Sequence, residues 1–172
     1  SLHKALCEGL KDSGAKVINI GMGPTPMTYF AHYHLDADAA IMVTGSHNPS
    51  EYNGFKMVFN KHSFFSEDIL SLQKLIDDKK LELLKGEIIN QDITNEYIER
   101  DLLNINLKRK IKIAWDTGNG AMGKIIREIT EKINNSENII INEKVDGNFP
   151  NHHPDPTVPE NMIQLIKAVK EN

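Results

Sequence analysis

The stretch MVTGSHNPSEYNGFK, residues 42–56, decides how the rest of the chain reads. It begins inside an apolar run, AAIMV at 39–43, then sets a hydroxyl, an imidazole and an amide in succession, Ser46, His47 and Asn48, before Pro49 breaks the chain. A continuous apolar run of this length predicts a strand buried on both faces, as in sheets covered by helices. Turn formation explains Asn48, Pro49, Asn53 and Gly54, the last two as a pair suited to positive φ that leads into a second strand, FKMVF at 55–59. It does not explain a serine and a histidine at the mouth of a buried strand, where open α/β sheets place their ligand crevices.

Upstream, Leu2, Leu6 and Leu10 recur at helical spacing, Gly14 is placed to close that helix in a left-handed cap, and KVINI at 16–20 follows as a strand. Thr25 as cap and Pro26 at the first helical position open a helix whose buried face is expected to carry Tyr29, Phe30 and Tyr33. Downstream, Ser66 is the expected N-cap of a helix with Glu67 and Asp68 in its first turn and Ile69, Leu72, Leu75 and Ile76 along one face.

A polar stretch, roughly 78–96, marks the domain boundary, dividing the chain into 1–91 and 92–172. A second series follows: a helix carrying Ile98, Leu102 and Ile105, a strand at 111–115, a glycine-rich turn, a helix through Ile125, Ile126 and Ile129, and a strand at 139–142. A proline-rich loop, 145–159, leads to a helix with Met162, Ile163, Ile166 and Val169 as its apolar stripe. A βα series halting there lacks its next strand, so Asn172 reads as a cut. The expected fold class is α/β, a three-layer α/β/α sandwich with a mixed sheet, one incomplete domain followed by part of a second, similar one.

At 172 residues, 40% hydrophobic and 26% charged, the chain holds one ordinary globular domain or two small ones. A formal charge of -4 argues against a nucleic-acid or anionic-lipid footprint. The single cysteine, Cys7, allows no internal disulfide, and there is neither a signal-peptide pattern nor a bilayer-length apolar run; a reducing cytoplasm is expected.

Ser46 lacks the GxSxG elbow of a hydrolase, since Asn48 stands where the second glycine would be. Phosphoryl transfer needs cations around phosphate oxygens, and Lys56 and His47 are suitable donors nearby. DTGNGAMGK at 116–124 contains a formal GxGxxG at Gly118, Gly120 and Gly123, with Glu143 after the next strand, the setting of a dinucleotide site. Asp116 would push negative charge toward a pyrophosphate there, and the competing reading is a tight strand-to-helix turn. His152, His153 and Asp155 resemble a metal cluster in composition only, because adjacent residues of an extended loop point in opposite directions. Asp36 and Asp38 fit helix termination and exposure.

GPTPMTYFAHYHLDADAAIMVTGSHNPSEYNGFK, DTGNGAMG and DGNFPNHHPDPTVPEN together resemble the α-D-phosphohexomutases, and most closely the bacterial phosphomannomutase/phosphoglucomutase branch. The resemblance runs from about Leu2 onward. It implies that Ser46 is the phosphorylated catalytic serine, that His47 shapes its loop, and that Lys56 binds and polarises the substrate. It implies interconversion of hexose 1-phosphate and hexose 6-phosphate, of mannose or glucose, through a phosphoserine enzyme and a hexose 1,6-bisphosphate. It further implies a Mg2+ ion ligated by Ser46 through its phosphate, with carboxylate ligands beyond the chain end, and glucose 1,6-bisphosphate as activator. The other family domains are then missing, the chain alone is expected to be inactive, and its partner is a hexose phosphate rather than nucleic acid or membrane. An NAD-dependent oxidoreductase using Gly118–Gly123, and a sugar-phosphate binding module, remain as alternative readings.

Overall fold

The computed structural model describes residues 1–78 and 83–172, so residues 79–82 of the polar boundary stretch lie outside the described residues. The chain divides into two compact units. The first comprises Ser1–Gly21, Thr25–Thr44 and Gly54–Ile93; the second comprises Thr94–Asn172 together with Met22–Pro24 and Gly45–Asn53.

In the first unit, α1 (Leu2–Asp12) starts on Ser1, whose hydroxyl accepts from the Lys4 N–H, and ends at Gly14, φ +90°. Gly14 N–H donates to Lys11 O and Ala15 N–H to Leu10 O, the paired bonds of a Schellman cap. β1 (Lys16–Asn19) follows. α2 (Thr25–His34) buries Met27, Ala31 and His32, while Tyr29 and Tyr33 are exposed, so the expected aromatic face is corrected. Met27 and Ala31, four residues apart, share the inward stripe. Tyr33 instead covers a turn, its ring 5.5 Å from Lys61 Nζ.

β2 (Ala39–Val43), β3 (Phe55–Phe59) and β4 (His62–Phe64) form an antiparallel sheet in that order, with Val43 opposite Phe55 and Phe59 opposite His62. β2 is half-buried rather than covered on both faces, as suits an antiparallel sheet with one open side. β4 escapes sequence reading because its hairpin turn, Asn60–Lys61, takes positive φ at both positions (47° and 66°) without a glycine. α3 (Glu67–Asp77) also departs from expectation. Ser66 has φ 49° and makes no side-chain cap; the Asp68 carboxylate accepts from Phe65 N–H instead. Ile69, Leu72, Leu75 and Ile76 are exposed.

β5 (Glu87–Asn90) pairs in parallel with β1, Lys16 opposite Glu87 through Asn19 opposite Asn90. This strand lies inside the stretch read as a polar boundary. With only Ile88 and Ile89 between polar neighbours, it carries no periodic signal of its own.

In the second unit, α4 (Thr94–Leu102) buries Tyr97 and Ile98; Ile105 lies past its end and is exposed, contrary to expectation. β6 (Ile111–Asp116) and β7 (Ser136–Ile141) pair in parallel over six residues. They are joined by a 3-10 turn, Ala121–Lys124, and α5 (Ile126–Glu131), which packs Ile126 and Ile129 inward. Asn138 ties these elements together: it accepts from Trp115 Nε1 (2.9 Å) and donates to Thr130 O (3.1 Å) and Ser136 Oγ (2.7 Å). A 3-10 turn, Pro159–Met162, leads into α6 (Ile163–Glu171), of which only Ala168 is buried while Ile163, Ile166 and Val169 stay exposed. The chain is thus α/β, with two parallel strand pairs and one antiparallel sheet among the described residues. No described helix is long and apolar enough to cross a membrane.

Candidate functional site

The loop between β2 and β3 is built from two successive turns on a paired base. Thr44 N–H donates to Gly54 O at 2.9 Å, extending the β2–β3 ladder by one step. Asn48 N–H then donates to Gly45 O (3.1 Å) and Tyr52 N–H to Pro49 O (2.9 Å). Ser46 occupies the first central position of the first turn with φ 55°, the place a type II′ turn gives to glycine. The expected positive φ at Asn53 and Gly54 is absent from the backbone; Ser46 carries it instead. Gly45 is required for a different reason. A Cβ there would lie 2.7 Å from the Tyr52 carbonyl oxygen, so only glycine lets the two limbs of the loop close.

Left-handed φ on an L-residue other than Gly, Asn or Asp costs about 1–2 kcal/mol, and such strain collects at functional positions. At Ser46 it sets an exposed hydroxyl at the tip of the loop, 3.3 Å from His47 Nδ1. Lys56, the third sequence-predicted site residue, lies half-buried on β3 opposite Met42.

The second unit carries a polar network that sequence reading glimpsed only in parts. Asp116, at the end of β6, accepts at Oδ1 from Gly118 N–H (2.9 Å) and Asn142 Nδ2 (3.0 Å), and at Oδ2 from His152 Nε2 (2.8 Å). His152 Nδ1 meets the His153 carbonyl at 2.9 Å. Burial disfavours a charged imidazole here, but the His153 carbonyl and the Asp116 carboxylate outweigh it and raise the His152 pKa. Asn119, buried beside this pair, donates to Lys144 O (2.8 Å) and accepts from Asn151 Nδ2 (3.0 Å). Further along, Asp155 Oδ1 accepts from the Thr157 hydroxyl (2.7 Å) and N–H (2.9 Å). Those two bonds lower the Asp155 pKa most, and the fields of His47 and His153 lower it further. Asp155 is therefore within electrostatic reach of the Ser46–His47 turn, a relation with no signal in sequence spacing. A D-x-T pattern and a buried Asp-His pair are the signals that mark the network once its elements are placed.

The glycine-rich turn spends its donors internally. Gly118 N–H goes to Asp116 Oδ1, Gly120 N–H to Thr117 O (2.8 Å) and Gly123 N–H to Gly120 O (3.0 Å), leaving none of the three free for a pyrophosphate. A Cβ at Gly123 would lie 1.8 Å from Glu143 O, so that glycine serves close packing. The dinucleotide reading is left without support.

Known proteins match nearly the whole length of the chain. The description "Phosphoglucomutase/phosphomannomutase, alpha/beta/alpha domain I" matches residues 1–81, and that of alpha/beta/alpha domain II matches residues 93–172. A "Phosphomannomutase/phosphoglucomutase" of Pseudomonas putida is 40% identical over 170 residues, covering 99% of this chain and 36% of the relative. A "Phosphoglucomutase" of Neisseria gonorrhoeae is 41% identical over 171 residues, covering 98% and 37%. A crystal structure of a phosphoglucomutase/phosphomannomutase family protein from Burkholderia thailandensis superposes with a TM-score of 0.91 at 38% identity, covering 99% of this chain and 39% of that one. The fold is that of consecutive α/β/α domains. The chain belongs to the phosphoglucomutase/phosphomannomutase family and spans little more than a third of the length of these relatives.

Proposed function

We propose that Ser46 is the phosphoryl carrier of a mutase that interconverts hexose 1-phosphate and hexose 6-phosphate, of mannose or glucose. The observation that carries this reading is Ser46 itself: a serine forced into left-handed φ, its hydroxyl exposed at the loop tip and in contact range of an imidazole. In the forward half-reaction the phosphorus–Oγ bond of phosphoserine breaks as a sugar hydroxyl oxygen bonds to phosphorus. The hydroxyl proton leaves to a nearby base, and the serine oxygen is released for reprotonation. The resulting hexose 1,6-bisphosphate returns its other phosphoryl group to Ser46 by the reverse chemistry. Supplied glucose 1,6-bisphosphate primes the cycle.

Lys56, on β3, is proposed to bind the substrate and neutralise charge on the transferring group, since positioned cations stabilise such transition states. His47 is proposed to shape the turn and orient the Ser46 hydroxyl. Magnesium, when bound, would draw negative charge from the transferring phosphoryl group. Among the described residues no three His, Cys, Asp or Glu side chains converge on an ion site, so the serine phosphate is the only ligand assigned here. We assign 1–91 to part of the family's first domain and 92–172 to the front of its second. A cytoplasmic setting suits the single buried thiol, Cys7.

The test is Ser46→Ala in the full-length protein. Mutase turnover should fall on the order of 10³-fold or more, as removal of an essential nucleophile does. Turnover within tenfold of the parent contradicts the assignment.

A further inference from the structure

We propose that His152 is a positioning residue for the Ser46 turn: clamped between the Asp116 carboxylate and the His153 carbonyl, it fixes the irregular loop 145–158, which belongs to the same compact unit as the Gly45–Asn53 turn. The proposal rests on the reading of Ser46 as carrier.

The geometry at His152 constrains its charge. A carbonyl oxygen only accepts, so Nδ1 must carry a proton to bond His153 O at 2.9 Å. Asp116 Oδ2 accepts from Nε2 at 2.8 Å, while Oδ1 already accepts from Gly118 and Asn142. Both ring nitrogens therefore donate, and only the imidazolium satisfies both partners at once. Neutral imidazole would set a lone pair against a carbonyl or a carboxylate oxygen. Solvent does not relieve the mismatch, since the side chains of His152 and Asp116 are 14% and 8% exposed.

The pair is also the middle anchor of an otherwise irregular segment. At one end of the loop Asp146 N–H donates to Asn119 O (3.0 Å), and Asn151 reaches the Asn119 side chain. At the other, Asn161 Nδ2 donates to Asp155 O at 2.8 Å. Between these ends, His152 alone ties the loop to the end of β6 by a charged bond. The groups facing it are Asp116 from β6 and, on its own loop, the His153 carbonyl; the next charges along are His153 itself and Asp155, which senses His47. A raised histidine pKa makes the clamp complete below the ordinary histidine value and loses it as pH rises through the folded value.

Two measurements test this. In full-length protein labelled with 15N-histidine, both His152 nitrogens should be protonated at and below the ordinary histidine value of about 6.5, with a midpoint above that value that falls in Asp116→Asn. A His152 midpoint at or below the ordinary histidine value overturns the proposal, whatever the variants do. In kinetics, His152→Gln should slow Ser46 phosphorylation by on the order of 10- to 100-fold, a range typical of a displaced reacting group, with KM for hexose phosphate within about twofold. The parent's decline in rate through the His152 midpoint should vanish in the variant. Equal rates and an unchanged pH profile in parent and variant sink the positioning role while leaving the carrier intact; absence of any Ser46 phosphorylation in the parent sinks the carrier reading instead.

Discussion

Ser46 Oγ and His47 Nδ1 lie 3.3 Å apart on adjacent residues of one turn, and the backbone that brings them together runs through left-handed space at the serine. Hydroxyl placement and backbone strain are thus one feature. Ser46→Gly should relieve the strain that Ser46→Ala retains, making the glycine variant the more stable of the two by about 1 kcal/mol after allowing for glycine's larger unfolded-state entropy. Chemical denaturation of both variants checks the order. An alanine variant as stable as the glycine variant would place Ser46 outside strained φ.

Gly45 makes the turn close. Gly45→Ala brings a methyl group to 2.7 Å from the Tyr52 carbonyl oxygen, within the range where backbone must move. The loop should shift while β2 and β3 stay paired. Amide hydrogen exchange is expected to rise at Asn48 and Tyr52 and remain unchanged along Phe55–Phe59, with phosphorylation of Ser46 slowed; uniform exchange across both segments would contradict a local effect.

His32 anchors the β3–β4 hairpin from within α2. It is 1% exposed, and its Nε2 accepts from Lys61 N–H at 3.0 Å, so the proton resides on Nδ1. His32→Leu keeps the bulk but leaves the Lys61 N–H unpaired, and should cost about 1–3 kcal/mol in thermal or denaturant unfolding. A loss below 0.5 kcal/mol, to be set against ~1 kcal/mol for an ordinary hydrogen bond, would mean that water replaces the ring nitrogen.

How far the sequence disclosed this architecture depends on where each signal resides. α1 with its Gly14 cap, β1 to β3 and β6 were legible because apolar periodicity and cap residues are local. β5 was not, since a four-residue parallel strand owes its existence to β1, more than sixty positions away. The aromatic side chains of α2 misled because the helix faces inward through Met27, Ala31 and His32. At the candidate site, Ser46, His47 and Lys56 could be named from one contiguous stretch. The Asp116–His152 clamp and the electrostatic influence of His47 on Asp155 arise only when separate loops fold together.

The Thr157 hydroxyl and amide hold Asp155 below the usual carboxylate range, aided by His47 and His153. The depressed value means that its favourable interactions persist above the ordinary pKa and disappear as pH falls through the lower folded one. Thr157→Val removes the 2.7 Å hydroxyl bond and should move the Asp155 midpoint upward toward its ordinary value in a 13C-carboxyl titration. An unchanged midpoint would transfer the cause to the neighbouring histidines.

Intact-mass spectrometry of the full-length protein after exposure to glucose 1,6-bisphosphate, followed by fragmentation to locate any adduct, bears most directly on the carrier role of Ser46. One added phosphoryl group, mapped to Ser46 and discharged by hexose phosphate, is the expected result. A protein that acquires no phosphoryl group, or carries it on another residue while still turning over hexose phosphate, would contradict it.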